Sequence, residues 1–436
     1  MDLMIRGGTL VFDGIEMPAD LYVDDGKIAG FGRGLVAEAD QVVNAEGCFV
    51  LPGLVDVDSL LDLSAAGQLS ADLVAKASQM AVLGGFTTHS VDYPSSDGPE
   101  GVRQAMGQSA LADFAPRALV SKRGADARRK ASDALRSGDS AGVRASLRKL
   151  SHAVDGLPDD DVFALLREAG ANRCVFLNPQ SGPLGDMALS VAASRGGSPD
   201  EQRGAAHPAH LARAGMRLIS SLLETASANV AVLPITCSPE IEALLEARDR
   251  LGAGVMAVTS LPYLLFFADD EGAAPAGRLP AGYPPLRRKP DSVHLWKSLD
   301  AGLIDVIATS AAAPDDALLG NPVYALPALY GQGVMGRRVS LQTLISALCD
   351  NPAKMLSLYP RKGTLQVGSD ADIVVFDPEG RTPAPENSPY AKLNMAGKVE
   401  LVIRRGEVLV DGSQLAEGVG RGQEVKPGAE AAELRK

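Results

Sequence analysis

Apolar and polar residues alternate with a period of two near the start of the chain, in Leu3-Met-Ile-Arg-Gly-Gly-Thr-Leu-Val-Phe12 and in Asp20-Leu-Tyr-Val-Asp-Asp-Gly-Lys-Ile28. That period lines one face of a strand, and Asp25-Gly26 has the composition of a tight hairpin turn. A small antiparallel sheet is predicted here. The pattern returns in Asp372-Ile-Val-Val-Phe376 and in Glu400-Leu-Val-Ile-Arg-Arg-Gly-Glu-Val-Leu-Val410, with Arg405-Gly406 as a turn. Both chain ends, residues 1–50 and 363–415, are expected to build one β-sandwich.

Between them the pattern changes to short apolar runs separated by helical stretches. The runs are Gly53 to Val57, Gly85 to Val91, Cys174 to Leu177, Ala231 to Ile235, Gly254 to Val258 and Asp305 to Thr309. Repeated βα units of this length predict an α/β fold, a (β/α)8 TIM-like barrel over residues 51–362. Helices such as Leu69 to Leu83 and Ala209 to Ala226 would form its outer ring. The segment Lys122 to Lys149 is rich in Lys and Arg with interspersed Ala and Leu, and reads as a solvated helical face. Residues 416–436 are expected to form a C-terminal tail, extended or disordered from Gly418 and able to reach a neighbouring subunit.

Composition narrows the partners. The chain has 436 residues, 46% hydrophobic and 22% charged, enough for one large core with a satellite domain. A net charge of -12 argues against nucleic acid or anionic lipid, which require a surplus of Lys and Arg on one face. With no long apolar run in Met1 to Arg6 and no window resembling a membrane helix, the expected location is the cytoplasm, with no membrane partner. The cysteines Cys48, Cys174, Cys237 and Cys349 lie far apart and read as reduced, mostly buried thiols. Only five histidines are present, little material for a histidine-rich metal site.

The run from Asn351-Pro-Ala-Lys-Met through Gly363-Thr-Leu-Gln-Val-Gly-Ser-Asp-Ala-Asp-Ile-Val-Val-Phe-Asp-Pro378 resembles the dihydropyrimidinase and hydantoinase branch of the cyclic amidohydrolases, relatives of dihydroorotase and allantoinase. Supporting matches are Ile5-Arg-Gly-Gly-Thr-Leu10, Leu51-Pro-Gly53, Gly84-Gly-Phe-Thr-Thr88, Tyr283-Pro-Pro-Leu-Arg287 and Gly397-Lys-Val399, so the resemblance covers nearly the whole chain. It implies a barrel holding two zinc ions bridged by a carbamylated lysine and a hydroxide. The His-x-His that such a site needs on its first strand falls on Asp58 and Leu60. The resemblance further places Cys174 at the bridging lysine, Pro179 near the tyrosine that polarises the scissile carbonyl, Ala192 and Pro234 at two further histidines, and Ala311 at the aspartate that ligates and transfers protons. Zinc is expected of the family, but these residues cannot hold it, so no cofactor is expected.

What remains for chemistry is sparse. Asp56 and Asp58 share a strand face and could hold a hard cation such as magnesium. His89 reads as a hydrogen-bonded core histidine and Cys174 as an inert thiol, while Asp92 stands near the expected barrel mouth. His207 and His210 read as a surface pair before an outer helix. Asn351 is either a substrate-binding residue or a helix-start residue ahead of Pro352, and Tyr283 replaces a serine that the resemblance assigns to substrate. The expected function is a non-catalytic amidohydrolase-like pseudoenzyme acting in assembly or regulation of a protein complex. It would work as a homo-oligomer, dimer or tetramer, or as a hetero-oligomer with an active enzyme. The rivals are a cyclic-amide hydrolase with a rebuilt site and a small-molecule binding protein using the emptied pocket.

Overall fold

The computed structural model describes residues 1–34, 38–59, 69–147, 156–171, 173–180, 182–196, 202, 204–205, 207–251, 254–268, 284–310 and 319–428. Eight parallel strands follow one another around a barrel in chain order. They are Leu54–Asp56, Phe86–Pro94, Asp113–Leu119, Val143–Ser146, Cys174–Asn178, Asn229–Val232, Val255–Ser260 and Val306–Ala308. The seam between the last strand and the first is bridged where the Ser310 amide donates to the Asp58 carbonyl at 2.9 Å. Helices including Ala71–Leu83, Ala125–Ser137, Asp159–Ala169 and Ala209–Leu223 pack outside. The predicted barrel is therefore observed, with two strands that pattern reading passes over, Asp113–Leu119 and Val143–Ser146. The first carries Asp, Pro and Arg and is nonetheless wholly buried. The second lies in the Lys- and Arg-rich segment, which is thus corrected: its helix ends at Ser137 and the chain then enters the barrel.

Strands from both ends of the chain pair in a seven-stranded sheet, where Ile373–Asp377 lies beside Phe49–Pro52. A four-stranded sheet of Lys27–Gly32, Asp20–Asp24, Leu3–Arg6 and Gln41–Asn44 packs against it through Ile5, Leu21, Val50, Ile373 and Ile403. Both predicted hairpin turns form. Asp25 and Gly26 have φ of 50° and 69°, and Arg405 and Gly406 have 46° and 79°, the left-handed geometry that matches strand twist.

One ion cluster ties this sheet to the barrel. The Lys362 ammonium, fully buried, meets Asp113 of the third barrel strand at 2.6 Å, Asp372 at 2.8 Å and Asp370 at 3.0 Å. Burial alone would drive Lys362 toward its neutral form, but three carboxylates hold it charged.

The reading of residues from Gly418 as a free tail is corrected up to Gly428. Gln423 and Val425 bracket Phe114 with backbone hydrogen bonds of 3.0 and 2.8 Å, and Glu424 accepts from Arg103 at 2.9 Å. The Val425 side chain is buried among Val55, Ala115 and Met256 in the barrel interior. An apolar residue in an otherwise polar stretch is what docks the segment on its own barrel. Among the described residues, no helix is long and apolar enough to cross a membrane.

Candidate functional site

Asp56 ends the first barrel strand and faces the outer helix Ala71–Leu83, while Asp58, two residues beyond, turns toward Arg144. Asp92 lies on the second strand in register with Arg117 on the third, and Leu119 on the third is in register with Arg144 on the fourth. These four charged side chains, Asp58, Asp92, Arg117 and Arg144, converge. Arg117 donates from Nε to Asp92 at 2.7 Å and from one terminal nitrogen to the Val57 carbonyl at 2.7 Å. Arg144 donates to Asp58 at 2.7 Å and to Asp92 at 3.3 Å. The Arg117 guanidinium lies 4.4 Å over the Phe176 ring. Ser310 donates its hydroxyl to the second Asp58 oxygen at 2.5 Å and lies 2.6 Å from the Ser260 hydroxyl.

Burial makes this arrangement consequential. Arg117 and Asp92 are 0% exposed, and Arg144 and Asp58 are each 2% exposed. A buried charge is tolerated only when paired and hydrogen-bonded, and here two guanidinium cations stand against two carboxylates. Among the described residues, Arg117 and Arg144 are thus matched by Asp58 and Asp92.

Asp56 belongs to the neighbouring part of the site. It accepts from the Thr309 hydroxyl at 2.5 Å, the Thr309 amide at 3.2 Å and the Asp58 amide at 3.1 Å. Burial pushes its carboxyl up to about 6, against the pull of those hydrogen bonds. His89 is in register with Asp56, and burial pushes its imidazole down to about 4, with Asp113 opposing. Its Nε2 has no hydrogen-bond partner, which departs from the expected hydrogen-bonded core histidine. Asp56, Ser59, His89 and Thr309 help to line a cavity of about 10 Å³, room for roughly one water.

The remaining sequence candidates are scattered. Leu60, Ala311 and Tyr283 lie outside the described residues. Cys174 opens its strand at the end away from the mouth, packed with Ala141, Phe176 and Ala231, and burial pushes its thiol up to about 12. It does not stand at a catalytic strand end. Ala192 sits on the outer helix Gly182–Arg195 and lines a surface cleft, so it does not face the centre either. Pro234 follows the sixth strand, at the mouth. Asn351 lies in the helix Asp350–Met355 and donates its side-chain amide to the Asp305 carbonyl at 2.8 Å, a packing contact behind the barrel wall. Asp56 and Asp58, expected to share a strand face, go to different surroundings, Asp56 to Thr309 and the outer helix and Asp58 to Arg144 and Ser310.

The groups that sequence reasoning missed are Arg117 and Arg144. The available signal was a lone arginine in a small-residue apolar stretch, Ala115-Pro-Arg-Ala-Leu119 and Gly142-Val-Arg-Ala145.

A pair of zinc ions does not fit these donors. Leu60 offers no ligand atom, Asp58 is occupied by Arg144 and Ser310, and among the described residues no three His, Cys, Asp or Glu side chains are grouped as a metal requires.

The parallel barrel bears polar residues at the strand C-terminal ends, the face where such barrels carry their active sites. The amidohydrolase family model matches residues 206–409. The chain's similarity lies with the hydantoinase and dihydropyrimidinase branch. It is 28% identical to a D-hydantoinase of Rhizobium radiobacter, covering 94% of this chain and 95% of that protein. It is 26% identical to a D-hydantoinase of Geobacillus stearothermophilus, covering 98% and 96%. In structure it resembles the dihydropyrimidinase of Brevibacillus agri, with a TM-score of 0.87 at 22% identity, over 99% of this chain and 100% of the other. The resemblance read from the motifs is thereby borne out.

Proposed function

We propose that this chain is a non-catalytic member of the cyclic amidohydrolase family, acting in assembly or regulation of a protein complex. One observation carries the reading: the Arg117 and Arg144 guanidinium groups stand at the barrel centre, each bonded to a carboxylate. Hydrolysis of an amide needs an activated water, which the family obtains by lowering the pKa of water on a metal. Two buried arginines cannot act as bases, and their bonds to Asp58 and Asp92 take up carboxylate oxygens that a divalent cation would need. The candidate bases that remain are poorly placed. Cys174 lies at the far end of its strand, and Asp56 shares a cavity of about 10 Å³ with His89, too small for a cyclic amide.

The oligomer, homomeric or with an active relative, and a cytoplasmic setting form part of the proposal. The experiment is metal analysis of the purified protein with an assay on dihydrouracil and hydantoin. Less than about one tenth of a zinc per chain and no ring opening are expected, since the ligand set of a structural or catalytic zinc is missing. Two zinc ions per chain with turnover would overturn the proposal.

A further inference from the structure

A second cluster of polar residues lies at the barrel mouth, away from the arginine pair. Asn178 ends the fifth strand, Gln180 follows two residues later, and Thr236 follows the sixth strand. His207, expected on the surface, is buried, and its Nδ1 lies 3.1 Å from Gln180 Oε1. Arg287 connects the two strands: it donates to the His207 carbonyl at 2.5 Å and from Nε to the Thr236 hydroxyl at 3.1 Å. Beyond Thr236, the buried Glu240 accepts from the Thr236 hydroxyl at 2.9 Å and supplies a nearby negative charge to Arg287.

Three donors between Asn178 and Arg287 are left over, and beyond Thr236 one acceptor, Glu240 Oε1, is also buried without a partner. Asn178 Oδ1 accepts from the Gln180 amide at 3.0 Å, while Asn178 Nδ2, Gln180 Nε2 and the second terminal nitrogen of Arg287 are buried with no partner. Asn178 and Gln180 are 3% and 2% exposed. An unpartnered buried donor forfeits its hydration without return, so three along one chain of contacts call for an acceptor. The helix Gly182–Arg195 starts two residues beyond Gln180, and its N-terminus adds positive potential to the same place.

We infer that the mouth between the fifth and sixth strands binds a small carboxylate, held by Asn178 Nδ2, Gln180 Nε2 and the Arg287 guanidinium. A carboxylate fits because it is acceptor-only and planar, and a guanidinium grips it as a charge-assisted donor. The near-complete burial of the two amides admits a free acid rather than a protein side chain on a rigid surface. The site goes beyond the reading of the barrel centre and stands whether or not that centre turns over a substrate.

Ligand-observed NMR on the full chain tests this, with acetate as probe, acetamide as its uncharged counterpart and inorganic phosphate as a tetrahedral anion, at constant ionic strength. Saturable binding of acetate and none of acetamide is expected. Arg287→Met and the near-isosteric Gln180→Glu should each weaken acetate about tenfold or more, the loss of a charged hydrogen bond. Arg217→Met on the outer helix should leave it unchanged. A cooperative thermal transition in each variant establishes that it is folded. No saturable binding of acetate, equal binding of acetamide, tighter binding of phosphate, or full affinity in both folded variants would overturn the inference.

Discussion

Arg144 is the residue on which the barrel centre turns. It neutralises Asp58 and touches Asp92, and all three are buried. Arg144→Met keeps most of the volume but leaves carboxylates uncompensated, so a loss of about 3 to 5 kcal/mol is expected in urea denaturation. Pairing it with Asp58→Asn should recover part of that loss, and additive losses would show that the two residues do not act together. His89 offers a pH-dependent counterpart. Its folded pKa of about 4 lies below its ordinary 6.5, so the unfolded chain takes up a proton first and stability falls as pH drops through that window. Asp56 works the other way: raised from 3.8 to about 6, it keeps its proton longer in the folded state, and stability falls as pH rises through that window. The two slopes oppose each other between about 4 and 6 in the native protein. Replacing His89 with Gln should expose the Asp56 slope, with about 2 to 3 kcal/mol lost from pH 4 to pH 6. A variant whose urea midpoints follow the wild-type profile would refute that assignment.

At the scale of elements, the third and fourth barrel strands decide more than their length suggests. They supply Arg117 and Arg144 to the centre, and the third also gives Asp113 to Lys362. The C-terminal segment closes on the same strand, with Val425 seated in the barrel interior and Glu424 on Arg103. Val425→Asp buries a charge without a partner, and a loss of about 3 kcal/mol or more is expected. Light scattering should show an unchanged mass, because the segment docks on its own chain. A changed mass with unaltered stability would instead place Val425 in a subunit contact. Period-two alternation made the sandwich strands legible, since one face meets water, and Asp25-Gly26 and Arg405-Gly406 were legible as turns because few residues adopt left-handed φ. The third strand was not legible because Pro116 and Arg117 interrupt its apolar run, and nothing local reports that Asp92 lies in register to receive the arginine.

For the molecule as a whole, a barrel architecture shared with hydantoinase structures accompanies a buried arginine–carboxylate network among the described residues. The frame rests on the packing of buried apolar residues such as Leu54, Val175 and Val258, whose side chains carry no metal-binding atom. The centre can change independently as long as its buried charge stays balanced, and Arg117 and Arg144 provide that balance.

The sequence by itself determined the fold class and the meeting of both chain ends in one sheet, because these follow from periodicity and turn chemistry. Only the tertiary structure decided what occupies the barrel centre. Asp58, Asp92, Arg117 and Arg144 are distant in the chain and meet only because consecutive parallel strands bring them to one level. Strand register, a non-local property, turned charged residues far apart in the chain into one buried ion-paired network.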